Sequence, residues 1–245
     1  MRNDGRARDD ELRRLDLAPD FIELANGSVL FSQGRTRVLC TATVEEGVPR
    51  WLSRSGRGWM TAEYSLLPAS TGERTQREAT RGKQGGRTVE IQRLIGRALR
   101  GVVDFEALGE RTVWIDCDVL EADGGTRCAA ITGGFAALHL ALAGLVEREA
   151  LPAVPLTGSI AAISCGVVDG EALLDLDYSE DSRAEVDMNV VMTGDGGLVE
   201  VQATAERTPL SRASLDHLLA LAADGVDHLR GLQDRAVGPA SVPAQ

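Results

Sequence analysis

Apolar residues recur along this chain at two periods, and the switch between them marks most of its elements. In TVEIQRLIGRALRGVV (88–103), Ile91, Leu94, Ile95, Ala98, Leu99 and Val102 follow i, i+3, i+4, i+7, which predicts an amphipathic helix with Arg93, Arg97 and Arg100 on its other face. The run CAAITGGFAALHLALAGLV (128–146) is apolar on nearly all sides and predicts a central helix. SLDHLLALAADGVDHLRGL (214–232) predicts a last helix capped by Ser211 or Ser214. Period-two alternation predicts strands over 36–44 and 112–123 and in four runs between 159 and 205. Residues 21–44 are expected to form a hairpin turned at Asn26-Gly27. Residues 50–86 show little periodicity and are expected to be a long basic loop. The order is strands, helix, strand, helix, strands, helix, an α+β or mixed α/β pattern.

Composition adds a class and a charge map. With 245 residues, 43% of them hydrophobic and 26% charged, the chain has the balance of a globular protein with a real core. The net charge is −11, which taken globally argues against nucleic acid binding. Residues 50–100, however, hold ten Arg and Lys83 against four Glu, a basic island on an acidic body. All but one of the 26 basic residues are Arg, so an anion site here would use planar guanidinium forks. Cys40, Cys117, Cys128 and Cys165 have neither CxxC spacing nor histidines placed to complete a zinc site, and are expected to be buried thiols. The charged N-terminus lacks a secretory apolar region, and Phe135–Val146 is too short to span a bilayer. A cytoplasmic protein with no membrane partner is expected.

Three features carry candidate chemistry. Gly124-Gly125-Thr126-Arg127 joins a strand to a helix. Glycines allow close backbone approach, and the unpaired N–H groups and dipole of a helix start attract an anion. The motif is neither Walker A nor GxGxxG, and spacing alone equally allows a tight turn with a solvated Arg127. In LLDLDYSEDSRAEVDMNVVM (173–192), Asp187 sits in an otherwise apolar strand beside Glu185 on the same side, with Asp181 in the preceding turn. A carboxylate in such a strand must be paired, hydrogen-bonded or on a metal, and hard oxygens beside a phosphate site suggest Mg²⁺. The alternatives are a turn cap for Asp181 and an Arg ion pair for Asp187. Third, Arg74, Arg77, Arg81, Lys83 and Arg87 interleave with Ser, Thr and Gln, a composition suited to phosphate-backbone contact, with Trp51, Trp59 and Tyr64 available to stack bases or to pack the loop.

Together these segments resemble the ribonuclease PH family over about residues 1–235. The resemblance is carried by RNDGR (2–6), GSVLFSQGRTRVLCTATVEEGVPRWL, GRGWMTAEYSLLPAST, GRTVEIQRLIGRALR, DCDVLEADGGTRCAAITG and LLDLDYSEDSRAEVDMNVVMTG, in this order. It implies an α+β ribonuclease PH fold, like domain 2 of ribosomal protein S5, with mixed sheets packed with helices. It implies one such domain over 1–235, with 236–245 an expected disordered tail. It implies a phosphorolytic 3′-to-5′ exoribonuclease, a tRNA nucleotidyltransferase. Such an enzyme trims tRNA precursors with inorganic phosphate, releases nucleoside diphosphates reversibly, and works as a homohexamer, a trimer of dimers. By the same resemblance Arg87, Gly125, Thr126 and Arg127 would bind phosphate. Asp181 and Asp187 would be catalytic and hold Mg²⁺, or Mn²⁺ in its place, and Arg74, Arg77 and Arg81 would hold RNA.

Three other readings make different demands. An RNA-binding ring subunit without catalysis should lack the phosphate arginines or the aspartates, which are all present here. A polynucleotide phosphorylase type carries a duplicated core and extra domains, for which 245 residues leave no room. A hydrolytic nuclease would need a denser carboxylate cluster and would release monophosphates.

Overall fold

The computed structural model describes residues 2, 4–206 and 209–240. Two sheets sandwich one long helix. The first is five-stranded: β1 (Leu15–Pro19), β2 (Gly27–Gln33), β3 (Thr36–Glu46), β4 (Trp59–Leu66) and β5 (Arg111–Glu121), in the order β1-β2-β3-β5-β4. All neighbours are antiparallel except β4 and β5. Parallel neighbours need a crossover. It is made by α1 (Glu78–Arg81), α2 (Gly86–Arg100) and α3 (Phe105–Leu108). The second sheet is antiparallel, in the order β7 (Glu171–Leu174), β6 (Ile160–Val168), β8 (Val186–Thr193), β9 (Leu198–Ala205). Between the sheets runs α4 (Thr126–Glu147), in contact with β2, β3 and β5 on one side and β6 and β8 on the other. The fold is α+β, mixed sheets packed with helices.

α4 is apolar enough, at a mean hydropathy of 1.8, to cross a membrane by length and composition, but its sides are taken up by the core: Ile131, Phe135, Leu138 and Leu142 are at most 2% exposed. α6 (Arg212–Val237) closes the outer side of the second sheet, with Leu218, Ala222, Val226 and Leu229 buried. Ser211 is its N-cap and accepts from Ser214 N–H. Ala236 and Val237, the first residues of the expected tail, are in this helix; residues 241–245 of it lie outside the described residues, as does Asn3 of RNDGR.

Two expectations fail for instructive reasons. The hairpin within 21–44 is β2–β3, and it turns at Gly34-Arg35, with Gln33 opposite Thr36 and Gly34 at φ 62°, not at Asn26-Gly27, which ends the β1–β2 connection. Gly27 opens β2 because α4 passes over it: a Cβ there would lie 2.2 Å from Ala137 O. And 50–86 is not one loop. β4 lies within it, burying Met60, Ala62 and Tyr64 on alternate positions. Its outward residues are Thr, Glu and Ser, and its inward ones are not the β-branched types that flag a strand. The expected strand over 171–178 is also shorter: it ends at Leu174, and Asp175, at φ 55°, turns the chain toward α5 (Tyr178–Asp181).

Candidate active site

A cleft of about 760 Å³ opens where the two sheets meet the first turn of α4. Arg74, Arg87, Gly125, Thr126, Arg127, Asp181 and Asp187 all line it, so the sequence-predicted candidates converge. Arg77 and Arg81 line a second cavity of about 1,100 Å³ that shares Tyr64, Leu66, Arg74, Thr75 and Arg87 with the first.

The floor of the cleft is the helix start. Gly124 and Gly125 have φ of 79° and 67°, a left-handed pair that turns β5 into α4 within two residues. A Cβ on Gly124 would lie 2.5 Å from Leu176 O. Gly125 is the N-cap and offers no side chain, so no side chain among the described residues caps the helix's first N–H groups. A helix of 22 residues thus presents its positive end bare to the cleft. Thr126 Oγ1 accepts a 2.9 Å hydrogen bond from Tyr64 OH.

Two arginines flank that end. Arg127 is not solvated: its side chain is 14% exposed, and its Nη1 donates to Gln202 on β9 and to Glu90 on α2 at 3.1 Å. This fixes the fork and leaves Nε and Nη2 without a protein partner among the described residues. Arg87, in the first turn of α2, makes no side-chain hydrogen bond or ion pair among the described residues, yet its charge reaches Tyr64, Asp181 and Asp187.

Opposite stand the carboxylates. Asp187 is on the face of β8 that also carries Asn189, whose Nδ2 lies 3.4 Å from Asp187 Oδ1 and whose Oδ1 accepts from Cys128 Sγ at 3.2 Å. Glu185, its expected companion, does not line the cleft. Burial and then the charge of Asp181 push the Asp187 carboxyl up to about 6, against the pull of Arg127 and Arg87. Burial likewise raises Asp181, against the pull of Arg87, Arg127 and Arg13. Asp181 is no cap; that role falls to Asp177, which accepts from Glu180 N–H at 2.9 Å while the Glu180 carboxylate accepts from Asp177 N–H at 3.1 Å. Nor is Asp187 in an arginine ion pair. No cluster of three or more His, Cys, Asp or Glu suited to a metal occurs among the described residues; Asp181 and Asp187 stand in the cleft as a pair of carboxylates.

The turn that carries Asp181 is anchored from an unexpected quarter. Arg2 donates to Glu180 through Nε at 2.8 Å and Nη2 at 2.6 Å, and Arg6 through Nη2 at 3.2 Å. Arg13 grips Asp175 with Nη2 at 2.6 Å, Nε at 3.0 Å and its backbone N–H at 2.8 Å, and also donates to Asp123 O beside the glycine pair. Arg2, Arg6 and Arg13 are therefore buried struts between the turn that bears Asp181 and the glycine turn. Sequence reasoning gave Arg2 and Arg6 only as part of the RNDGR motif of the resemblance, and assigned these arginines no structural role. It also missed Ser164 and Asn189, which no pattern marked.

The arginine wall is built differently. Arg74, Arg77 and Arg81 are exposed, and Arg81 Nε reaches Gln76 at 3.1 Å. Beneath lie Glu63, Asp116 and Asp118. Burial raises Asp116, with Glu63 and Asp118 adding to it; burial raises Asp118 too, and Arg77 opposes that. Trp51, Trp59 and Tyr64 do not serve the cleft as stacking platforms; the exposed aromatic that lines it is Tyr178. Tyr64 is 2% exposed, while Trp51 and Trp59 pack edge to face at 4.9 Å with Arg100 over Trp59, away from both cavities.

Comparison with known proteins agrees with this geometry. Residues 11–143 match the model for domain 1 of the 3′ exoribonuclease family, and residues 158–225 that for domain 2. The chain is 59% identical to ribonuclease PH of Moorella thermoacetica over 228 residues, covering 93% of this chain and 91% of that one. It is 57% identical to ribonuclease PH of Syntrophomonas wolfei subsp. wolfei, covering 94% and 96%. Among solved structures it shares its fold with rice (Oryza sativa) Rrp46, at a TM-score of 0.78 and 20% identity over 96% of this chain and 99% of that one. The Archaeoglobus fulgidus exosome with RNA bound to the active site gives 0.79 and 24%, over 94% and 92%.

Proposed function

Since the chain belongs to the ribonuclease PH family of 3′ exoribonucleases, we propose that its cleft seats inorganic phosphate on the bare start of α4 and brings an RNA 3′ end against it. The protein is a phosphorolytic 3′-to-5′ exoribonuclease of tRNA processing, a nucleotidyltransferase that binds RNA and takes phosphate as co-substrate. The observation that carries the phosphate assignment is the uncapped helix start between Arg87 and Arg127.

Phosphorolysis drives an anion onto an anionic phosphodiester, so the site must supply positive charge before it supplies a base. In this reading Arg127, its fork fixed by Glu90 and Gln202, and Arg87, unpaired, clamp the attacking phosphate. The N–H groups of Thr126 and Arg127 hold its oxygens, and Gly125 keeps the approach open. Asp181 and Asp187 lie in a desolvated cleft where burial raises both and the charge of Asp181 raises Asp187 further, a setting that favours a divalent cation or a proton. They fit Mg²⁺, or Mn²⁺, which binds through one or two carboxylates plus substrate phosphates. When bound, the ion neutralises phosphoryl oxygens. In this reading a protonated Asp of this pair gives its proton to the leaving 3′-oxygen. Arg74, Arg77 and Arg81 meet the RNA backbone through phosphates, recognising shape rather than sequence.

The substrates we infer are tRNA precursors, in the cytoplasm, with the four thiols buried and free. The assembly we infer is a homohexamer, a trimer of dimers. It is supported by edge strand β9, which exposes Leu198, Val199 and Val201, and by neighbours of this fold that include an archaeal exosome core. A tRNA precursor labelled in its 3′-terminal nucleotide tests the reading. Label should leave as diphosphate, only with phosphate present; monophosphate released without phosphate would overturn it.

A further inference from the structure

Behind the α4 helix start lies a polar atom that no motif singles out. Ser164 is on the central strand β6, is 4% exposed, and lines the cleft. Its hydroxyl is buried and has no hydrogen-bond partner among the described residues. Buried hydroxyls in native structures almost always have one. The residue stands opposite Asn189 across the β6–β8 pair, with Gly166 opposite Asp187, so it is two positions along β6 from the residue facing the catalytic aspartate. The next residue, Cys165, turns the other way and reaches Leu218 O on α6 at 3.7 Å, so Ser164 faces the α4 side of the sheet. A Cβ on Gly125 would lie 3.6 Å from Ser164 Oγ. The hydroxyl therefore borders the very space that the N-cap glycine leaves open.

We propose that Ser164 is a further substrate-contacting residue, whose O–H donates to a phosphoryl oxygen of the anion seated at the start of α4. The inference rests on the reading of that helix start as the phosphate cradle. A neutral donor suits the position. Asp181 and Asp187 already crowd the cleft with negative charge, and Arg13, the nearest cation to Gly125 on that side, is committed to Asp175. A hydroxyl adds a hydrogen bond to the anion without a competing ion pair. Because it projects from a central strand, its position is fixed before the anion arrives. The phosphoryl oxygen belongs either to inorganic phosphate or to the scissile phosphodiester of the RNA, and both have the same chemistry.

The test uses the full chain with Ser164→Ala, Ser164→Thr and Arg127→Ala. Two quantities are read: the KM values for phosphate and for RNA in phosphorolysis, and the rise in Tm on adding inorganic phosphate without RNA. A hydrogen bond to a charged group predicts a phosphate KM raised about tenfold or more in Ser164→Ala, an RNA KM within twofold, and a smaller phosphate-induced Tm rise from an unchanged starting Tm. Ser164→Thr, which keeps the hydroxyl, should recover part of the loss. A raised RNA KM with the phosphate KM unchanged would still support the contact and assign it to the scissile phosphodiester. If Arg127→Ala abolishes the phosphate-induced rise while Ser164→Ala keeps it in full with both KM values within twofold, the cradle stands and the Ser164 inference is overturned. If phosphate fails to raise the Tm of the unmodified protein, the cradle reading falls and takes the inference with it.

Discussion

On one side of the cleft, Arg13, Asp175 and Glu180 are 5%, 0% and 1% exposed, and each of these three charges has its partner within 3.2 Å. On the other, Arg74, Arg77 and Arg81 are exposed, and a single side-chain hydrogen bond, from Arg81 to Gln76, is found among the three in the described residues. Both regions are Arg- and Asp/Glu-rich turns. The difference lies in what each must do. Charge stabilisation of a transition state is worth most when the dipoles are fixed beforehand in a water-poor site, so the turns bearing Asp181 and Gly125 are strutted by Arg2, Arg6 and Arg13. Gathering an RNA backbone needs positive charge at long range and tolerance of many shapes, which exposed arginines supply.

The largest effect expected from breaking this contrast is at Glu180. Glu180→Ala leaves Arg2 buried without its carboxylate and strips Arg6 of one partner, with Asp4 remaining at 2.7 Å, and should destabilise the fold by about 3–5 kcal/mol, read by denaturant unfolding. A loss below 1 kcal/mol would mean that the struts carry little. Arg127→Ala comes next. It should lower kcat/KM for phosphate by about 10²–10³-fold without unfolding the chain, since it removes a preorganised donor rather than a strut. Unimpaired phosphate use would remove Arg127 from the clamp.

Asp187→Asn separates activity from stability. Its folded-state carboxyl is raised to about 6, above the ordinary 3.8. Folding therefore takes up a proton between those values. The cost of keeping Asp187 charged grows as pH rises from about 4 to about 6 and is complete above that. Without metal or phosphate, Asp187→Asn should stabilise the protein by about 1–2 kcal/mol at pH 7, allowing for partial exposure, and leave it unchanged near pH 4. Activity should fall at the same time. A variant that is less stable at pH 7, or that keeps full activity, contradicts the assignment. The smallest effect belongs to the outer wall. Arg77→Ala should weaken RNA binding a few-fold, alike for different sequences, and reduce the slope of log K against log salt by about 1. A sequence-dependent loss would show that Arg77 reads bases.

Much of the inner wall was legible in the sequence, because a strand–Gly-Gly–helix junction and an Asp within an apolar strand are local patterns with few physical outcomes. Its supports were not. Arg2, Arg6 and Arg13 lie in a stretch with no apolar period, and the same letters describe a solvated terminus or a buried network; only the partners, about 170 residues away, decide. β4 was hidden because edge pairing to β5 is a tertiary property, and Met60 and Ala62 are weak strand signals. Ser164 was hidden because one serine in an apolar strand has no pattern at all.

The contrast between the walls is tested most directly by measuring both KM values, for phosphate and for a tRNA precursor, in Arg127→Ala and in a triple Arg74→Ala, Arg77→Ala, Arg81→Ala protein. The account predicts a crossed result: Arg127→Ala raises the phosphate KM and spares that for RNA, while the triple variant raises the RNA KM and spares that for phosphate. Equal loss of both in each variant would contradict it, and would mean that the cleft binds its two anions as one undivided surface.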